Sequence, residues 1–250
     1  MKKWIVFESN GTELCGILST VDNTRPVIIL THGFMSSKDS NTYRILESKL
    51  NNAGINTFRF DFYGSGQSKG KFEDITLSKA VKNIMDAIAF MNHCGFKKIG
   101  LFGSSFGGSA SILTASISKY LYILALSSSP SDYTETYYQM LGDNGLEKWK
   151  QDGFITRTNS EAKEFRINYS FYEDIKKHNI YEAEKNITIP VLIVHGDCDK
   201  TVPIEQSIKA SKIIPNCVLE TIQGADHLYT NPEHYEKRIA LITNFIINNS

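Results

Sequence analysis

Short apolar runs and longer amphipathic stretches alternate along this chain, and glycine closes many of them. Residues 4 to 19 hold two strand-like runs around Asn10-Gly11, a two-residue turn that predicts a hairpin. After Pro26, the run Val27 to Leu30 is wholly apolar and rich in β-branched residues, as a strand covered on both faces should be. Residues 40 to 53 place Tyr43, Leu46, Leu50 and Ala53 on one helical face, with Gly54 as the stop. Ile55 to Phe60 predicts another strand, and Gly64, Gly66 and Gly70 mark the loop that follows. Thr76 reads as an N-cap for a helix burying Ala80, Ile84, Ile88 and Met91, stopped at Gly95. Lys98 to Phe102, Leu121 to Leu126, Val191 to Val194 and Val218 to Ile222 supply four more strands. A helix begins at about Phe106, and Pro203 and Pro232 each suit the first turn of a helix.

This alternation predicts an α/β fold with a mostly parallel central sheet. Its rhythm breaks at 130 to 186, where strand signals fade and ten aromatic residues gather among charges. The predicted organisation is therefore a core of 1–129 and 187–250 carrying a mainly helical inserted cap, 130–186. The plainer reading of that stretch is a pair of surface helices with a small core of their own. Its tyrosines then either wall a substrate site or merely fill that core.

Composition narrows the function classes. The chain has 250 residues, enough for one domain with a full core and no metal or disulfide staples. Its 27 basic and 27 acidic residues cancel, which leaves no charged stripe for nucleic acid. No apolar run approaches the roughly 20 residues of a membrane span. Four cysteines without Cys-x-x-Cys spacing suit the reduced cytoplasm. The histidines show no zinc-like spacing.

Gly103-Ser104-Ser105-Phe106-Gly107 follows a predicted strand and precedes a predicted helix. A sharp strand-to-helix turn that exposes a nucleophilic serine needs small residues on both sides of it. The serine needs a histidine base, and the base an orienting carboxylate. Among the six histidines, His227 alone lies in a loop after the last strand and before the terminal helix. The loop after the preceding strand, His195 to Pro203, offers Asp197 and Asp199 as the acid. Negative charge developing on a substrate oxygen calls for backbone donors, here the N–H groups of Phe34, in His32-Gly33-Phe34, and of Phe106.

Together these segments resemble the α/β-hydrolase superfamily. The shared motifs are His32-Gly33-Phe34, Asp61-x-x-Gly64-x-Gly66-x-Ser68, the Ser105 elbow, His195-Gly-x-x-Asp199-x-x-Val202-Pro203 and Gly224-x-x-His227. The resemblance selects Asp199 over Asp197 as the triad acid and makes Asp61 a structural residue. It implies an α/β-hydrolase fold, helices on both faces of the sheet, and no metal or organic cofactor. Within the superfamily the chain is most similar to small bacterial cinnamoyl or feruloyl esterases, although Ser104 stands where those usually carry histidine. The elbow also resembles those of prolyl-oligopeptidase-like peptidases. The implied activity is cleavage of a small carboxylic ester through an acyl-enzyme, with His32, Gly33, Tyr138 and Tyr169 expected at the substrate. An acylglycerol lipase, a thioesterase, a peptidase or a non-enzymatic binder on the same fold are the alternatives. Assembly as a homodimer stays open.

Overall fold

The computed structural model describes residues 1–159 and 161–250. Strands β1 (Lys2–Ser9) and β2 (Thr12–Ser19) form the predicted hairpin. Its turn holds Asn10 and Gly11 at φ 52° and 75°, the positive values a type I′ turn demands. There follow β3 (Val27–Thr31), α1 (Asn41–Asn52), β4 (Asn56–Phe60), a 3-10 turn at Phe72–Asp74, α2 (Leu77–His93), β5 (Ile99–Ser104), α3 (Phe106–Ala115) and β6 (Leu121–Ser127). After an intervening stretch the fold resumes with β9 (Val191–Gly196), α7 (Ile204–Ile213), β10 (Cys217–Ile222) and α8 (Pro232–Asn248). That stretch contains α4 (Tyr133–Asp152), β7 (Phe154–Thr158), β8 (Glu164–Asn168), α5 (Ser170–Ile175) and α6 (Ile180–Glu184).

Eight strands make one sheet in the order β1-β2-β4-β3-β5-β6-β9-β10. Every pairing from β4 to β10 is parallel, and only the β1–β2 and β2–β4 pairings are antiparallel. The all-apolar β3 has a physical cause in this position. Val27 and Ile29 enter one core with residues of α2 and α3, while Ile28 and Leu30 enter the other with Tyr43, Leu46 and Leu50 of α1 and Ile242 of α8. Helices thus cover both faces, as in the α/β-hydrolase fold. Thr76 caps α2 as expected, its side chain accepting from the Lys79 N–H.

The stretch between β6 and β9 is helical through α4, α5 and α6 and has two further features. Phe154–Thr158 and Glu164–Asn168 pair as an antiparallel hairpin, a second sheet. Helix α4 is also broken at Gly142, whose φ of 62° and ψ of 180° are not helical. The aromatics of this region pack on one another around the fully buried Trp149, whose indole N–H donates to the Ile167 carbonyl at 3.1 Å. Through Phe171, 5.1 Å from the Phe34 ring, they join the main core. Among the described residues no helix is long and apolar enough to cross a membrane.

Candidate active site

Strand β5 runs into Ser104, the chain turns at Ser105, and α3 starts at once with Phe106. Ser105 pays for this turn with φ 50° and ψ −118°, a region L-residues rarely adopt. The two flanking glycines answer to close packing. A Cβ on Gly103 would lie 2.6 Å from the Gly107 carbonyl oxygen, and one on Gly107 would lie 2.5 Å from that of His32. Larger residues would push α3 off the sheet.

The loops after β9 and β10 meet at this turn. His227 Nε2 lies 3.2 Å from Ser105 Oγ, and His227 Nδ1 lies 2.7 Å from Asp199 Oδ2. An ionised carboxylate only accepts, so Nδ1 carries the proton and the Nε2 lone pair faces the serine hydroxyl. Asp199 Oδ1 accepts the N–H groups of Thr201 and Val202 at 2.8 and 2.9 Å. Burial works to raise the Asp199 carboxyl, but hydrogen bonds from His195, His227 and the Val202 N–H outweigh it and hold it well below the usual carboxylate range. Asp197 serves differently: it accepts the Gly224 N–H at 2.6 Å and so ties the two loops together. Asp226 turns back on its own loop, accepting from Leu228 and Thr230.

His195 stands at the end of β9. It is fully buried, with Nε2 at 3.1 Å from both Asp199 Oδ2 and the Val202 carbonyl and Nδ1 at 2.6 Å from Ser207 Oγ. Both partners of Nε2 are acceptors, so the proton sits there and Ser207 donates to Nδ1. Asp199 Oδ2 therefore accepts from two histidines. The His-Gly-x-x-Asp spacing was the available signal.

Phe34 and Phe106 lie side by side at the elbow, their rings 5.2 Å apart. Neither backbone N–H has an acceptor among the described residues. Phe106 is also the first residue of α3, where helix N–H groups point outward. Residue 33 lies beside the nucleophile, since a Cβ on Gly33 would meet Ser105 Cβ at 3.6 Å, an ordinary contact.

Three expectations about substrate contact need correcting. His32 is buried and does not line the cleft. Burial pushes its pKa down, its Nε2 accepts the Phe62 N–H at 3.1 Å, and Nδ1 donates to the Gly33 carbonyl at 2.8 Å. Because a peptide group is planar and trans, fixing the Gly33 carbonyl also fixes the direction of the Phe34 N–H. His32 thus positions a donor. Tyr138 is 50% exposed with its hydroxyl near Asp143, and Tyr169 packs on Trp149 and Tyr172; neither faces the cleft. The helical period instead presents Tyr133, Thr136, Tyr137 and Met140. Asp61, read as structural, is fully buried and accepts from the Lys38 N–H, the Lys38 ammonium and the Gln67 N–H.

The cleft above Ser105 and His227 holds about 940 Å³ and has aromatic walls including Phe34, Phe72, Tyr137 and Phe165. Among the described residues no three His, Cys, Asp or Glu side chains converge as a metal site requires.

The family model described as the prolyl oligopeptidase family matches residues 41–250. The chain belongs to that family. Among its relatives, the palmitoyl-protein thioesterase ABHD10 of Mus musculus, named as mitochondrial, is 28% identical over 208 residues, covering 81% of this chain and 69% of the relative. Est1E of Butyrivibrio proteoclasticus, solved with ferulic acid bound, superposes with a TM-score of 0.86 at 27% identity, with 98% of each chain covered. The mouse α/β hydrolase domain-containing protein 10 shares the fold, with a TM-score of 0.79 at 23% identity over 99% of this chain and all of that one. This member of the prolyl oligopeptidase family is a hydrolase of the α/β type.

Proposed function

We propose that the chain hydrolyses carboxylic esters through an acyl-enzyme. The observation that carries the reading is the unbroken path from Ser105 Oγ through both ring nitrogens of His227 to the buried Asp199 carboxylate, at the floor of an aromatic cleft. Ser105 Oγ attacks the ester carbonyl while His227 Nε2 takes its proton, and the carbonyl oxygen gains its charge toward the Phe34 and Phe106 N–H groups. Collapse of the adduct breaks the bond to the alcohol, which leaves with the proton from His227. Water then attacks the acyl-serine, giving its proton to His227, and the acid departs as Ser105 regains its hydrogen. Asp199 keeps the imidazole in the required tautomer and stabilises the imidazolium. No step calls on a cofactor.

In this reading residues 130–186 act as a cap on the core of 1–129 and 187–250, its α4 and β7–β8 hairpin closing the cleft from above. The substrate class is a small ester with an aryl or short acyl group, supported by the aromatic walls and by the likeness to Est1E. A thioester is the second reading, favoured by the name of the ABHD10 relatives. The free cysteines suit a reducing compartment, and the cytoplasm is the one proposed. Cell fractionation separates it from the mitochondrial location in those relatives' names.

Initial rates of wild type and Ser105→Ala on p-nitrophenyl esters, methyl ferulate and a palmitoyl thioester test the proposal. Turnover of an oxygen ester, lost at least about ten-thousandfold in the variant, is the expected result. Preference for the thioester moves the second reading to first place, and turnover that survives in Ser105→Ala removes the mechanism.

A further inference from the structure

Of the charged side chains with which the β7–β8 hairpin lines the cleft, Arg157 lies on the face that carries Ile155, Phe165 and Ile167, and ester hydrolysis does not require it. Directly opposed residues of an antiparallel pair share a face, and here Arg157 opposes Phe165 while Ile155 opposes Ile167. Ile167 is fully buried and the Phe165 ring packs 4.7 Å from that of Phe72, so this face points inward. Thr156 and Thr158, on the other face, are exposed. Arg157 is half-buried and lines the same cleft as Ser105 and His227. The end of the hairpin is tied beside the oxyanion loop, where Asn159 Nδ2 donates to the Met35 carbonyl at 3.3 Å.

Among the described residues no carboxylate lies within ion-pair distance of Arg157. Among the described residues the arginine ion pairs are those of Arg44 and Arg59. The other two arginines of the cleft lie on aromatic faces: Arg166 is 3.8 Å over Phe154, and Arg238 is 4.5 Å over Tyr229. Of the carboxylates that line the cleft, Asp39 is held by Lys38 and Arg59, Glu161 and Glu164 are exposed, and Glu73 is half-buried without an ion pair to Arg157. The Tyr133 and Tyr137 phenols lie close enough to feel the Arg157 guanidinium. Burial pushes the Tyr137 phenol up to about 12 even against the pull of the Arg157 guanidinium, so its hydroxyl stays protonated. A half-buried cation without a counter-ion is unfavourable until an anion joins it, and a guanidinium matches a planar carboxylate with two parallel hydrogen bonds. One guanidinium balances one charge, which favours a carboxylate over a phosphate dianion.

We propose that Arg157 and the Tyr137 hydroxyl form a subsite for a carboxylate that the substrate carries away from the scissile bond. The preferred substrates are then anionic esters, half-esters of dicarboxylic acids or O-acyl hydroxy acids. The inference rests on the hydrolase reading of the same cleft.

Its test separates binding from turnover. Calorimetric affinities are measured on Ser105→Ala for monomethyl succinate, adipate and suberate, each against methyl butanoate, hexanoate or octanoate. Acetylated hydroxy acids against acetylated alcohols of equal length form the second arm. At least one pair should favour the anionic ester by about tenfold, with the preference abolished by adding Arg157→Gln and partly kept with Arg157→Lys. Equal affinities in every pair, or a preference that survives Arg157→Gln, overturn the subsite. Turnover of the same esters by wild type is the separate readout. Activity on the neutral esters without an anionic preference in binding discards the subsite and keeps the hydrolase. An Arg157-dependent preference with no turnover of any ester keeps the subsite and discards the hydrolase.

Discussion

Besides the buried Ser207–His195–Asp199 chain, the molecule assembles serine, histidine and aspartate within hydrogen-bond reach in two places, and only one of these two has the form of a relay. At the cleft, His227 stands between its partners and uses a different ring nitrogen for each. At the junction of α2 and α5, Ser78 Oγ donates directly to Asp174 Oδ1 at 2.7 Å and also meets His178 Nε2 at 2.8 Å. Asp174 accepts the Ser78 N–H as well, at 2.8 Å, so its carboxylate caps the start of α2 from a separate element. Ser105 sits on a strained turn at the end of a buried strand, whereas Ser78 sits in an ordinary first helical turn. Residue types alone therefore do not make a catalytic set. The order of the hydrogen bonds and access to the cleft decide together, since a proton leaves a serine only toward a base that is itself held from behind, and Ser207, which meets that condition at His195, is buried.

The largest contrast should come from the two serines. Ser105→Ala is expected to remove ester turnover by at least about ten-thousandfold, while Ser78→Ala keeps kcat/KM within about twofold. Comparable losses in the two variants would erase the distinction. The two acids come next: Asp199→Asn should lower kcat by about a thousandfold through the wrong imidazole tautomer, with Asp174→Asn near wild type. His195 offers a finer probe. His195→Phe removes one of the two histidine donors on Asp199 Oδ2, leaving a more basic carboxylate behind His227. A kcat loss of about tenfold is expected, with the acid limb of kcat/KM moved to higher pH and partial rescue in His195→Gln. A protein that only loses thermal stability, with an unmoved pH profile, would reduce His195 to packing.

The smallest effects concern stability. Burial raises the Asp174 carboxyl, but hydrogen bonds from His178 and from the Ser78 N–H and hydroxyl prevail and lower it from 3.8 to about 2. A carboxyl depressed on folding contributes stability above its unfolded value and loses it as pH falls toward the folded one. Wild type should thus exceed Asp174→Asn by about 1–2 kcal/mol at neutral pH, with the gap closing between about pH 4 and pH 2 in acid-unfolding curves. Glu184 should behave in the opposite sense, because burial raises it to about 7 over the relief from Ser131 and Lys209. Its ionisation is harder in the folded state, so it costs stability increasingly as pH rises from about 4.5 to 7, and Glu184→Gln should flatten that slope.

Much of the floor of the cleft was legible in the sequence. Gly103 and Gly107 are demanded by atoms a few residues away, and the His-Gly-x-x-Asp loop folds on its own N–H groups, so local spacing carries the geometry. The aromatic roof was less legible. Tyr137 and Tyr138 are adjacent and chemically alike, yet a turn of about 100° on α4 sends one into the cleft and the other to solvent. Tyr169 looked equally suited to substrate and is instead packed against Trp149. The β7–β8 hairpin escaped notice because its short strands mix threonine and arginine with apolar residues, and because it finds its inward face only against Phe72 and the buried aromatics.

By itself, then, the sequence determined the alternating α/β architecture and set Ser105, His227 and the two acids Asp197 and Asp199 in loops at one sheet edge, since both depend on short-range patterns of apolar period, small residues and loop spacing. The family resemblance chose Asp199 between the acids. The tertiary structure alone decided what surrounds that chemistry. It buried His32 behind the Gly33 peptide and set His195 on Asp199. It also left Arg157 in the cleft without an ion pair among the described residues. These outcomes depend on which face of one element meets another distant in the chain, and no local pattern records that choice.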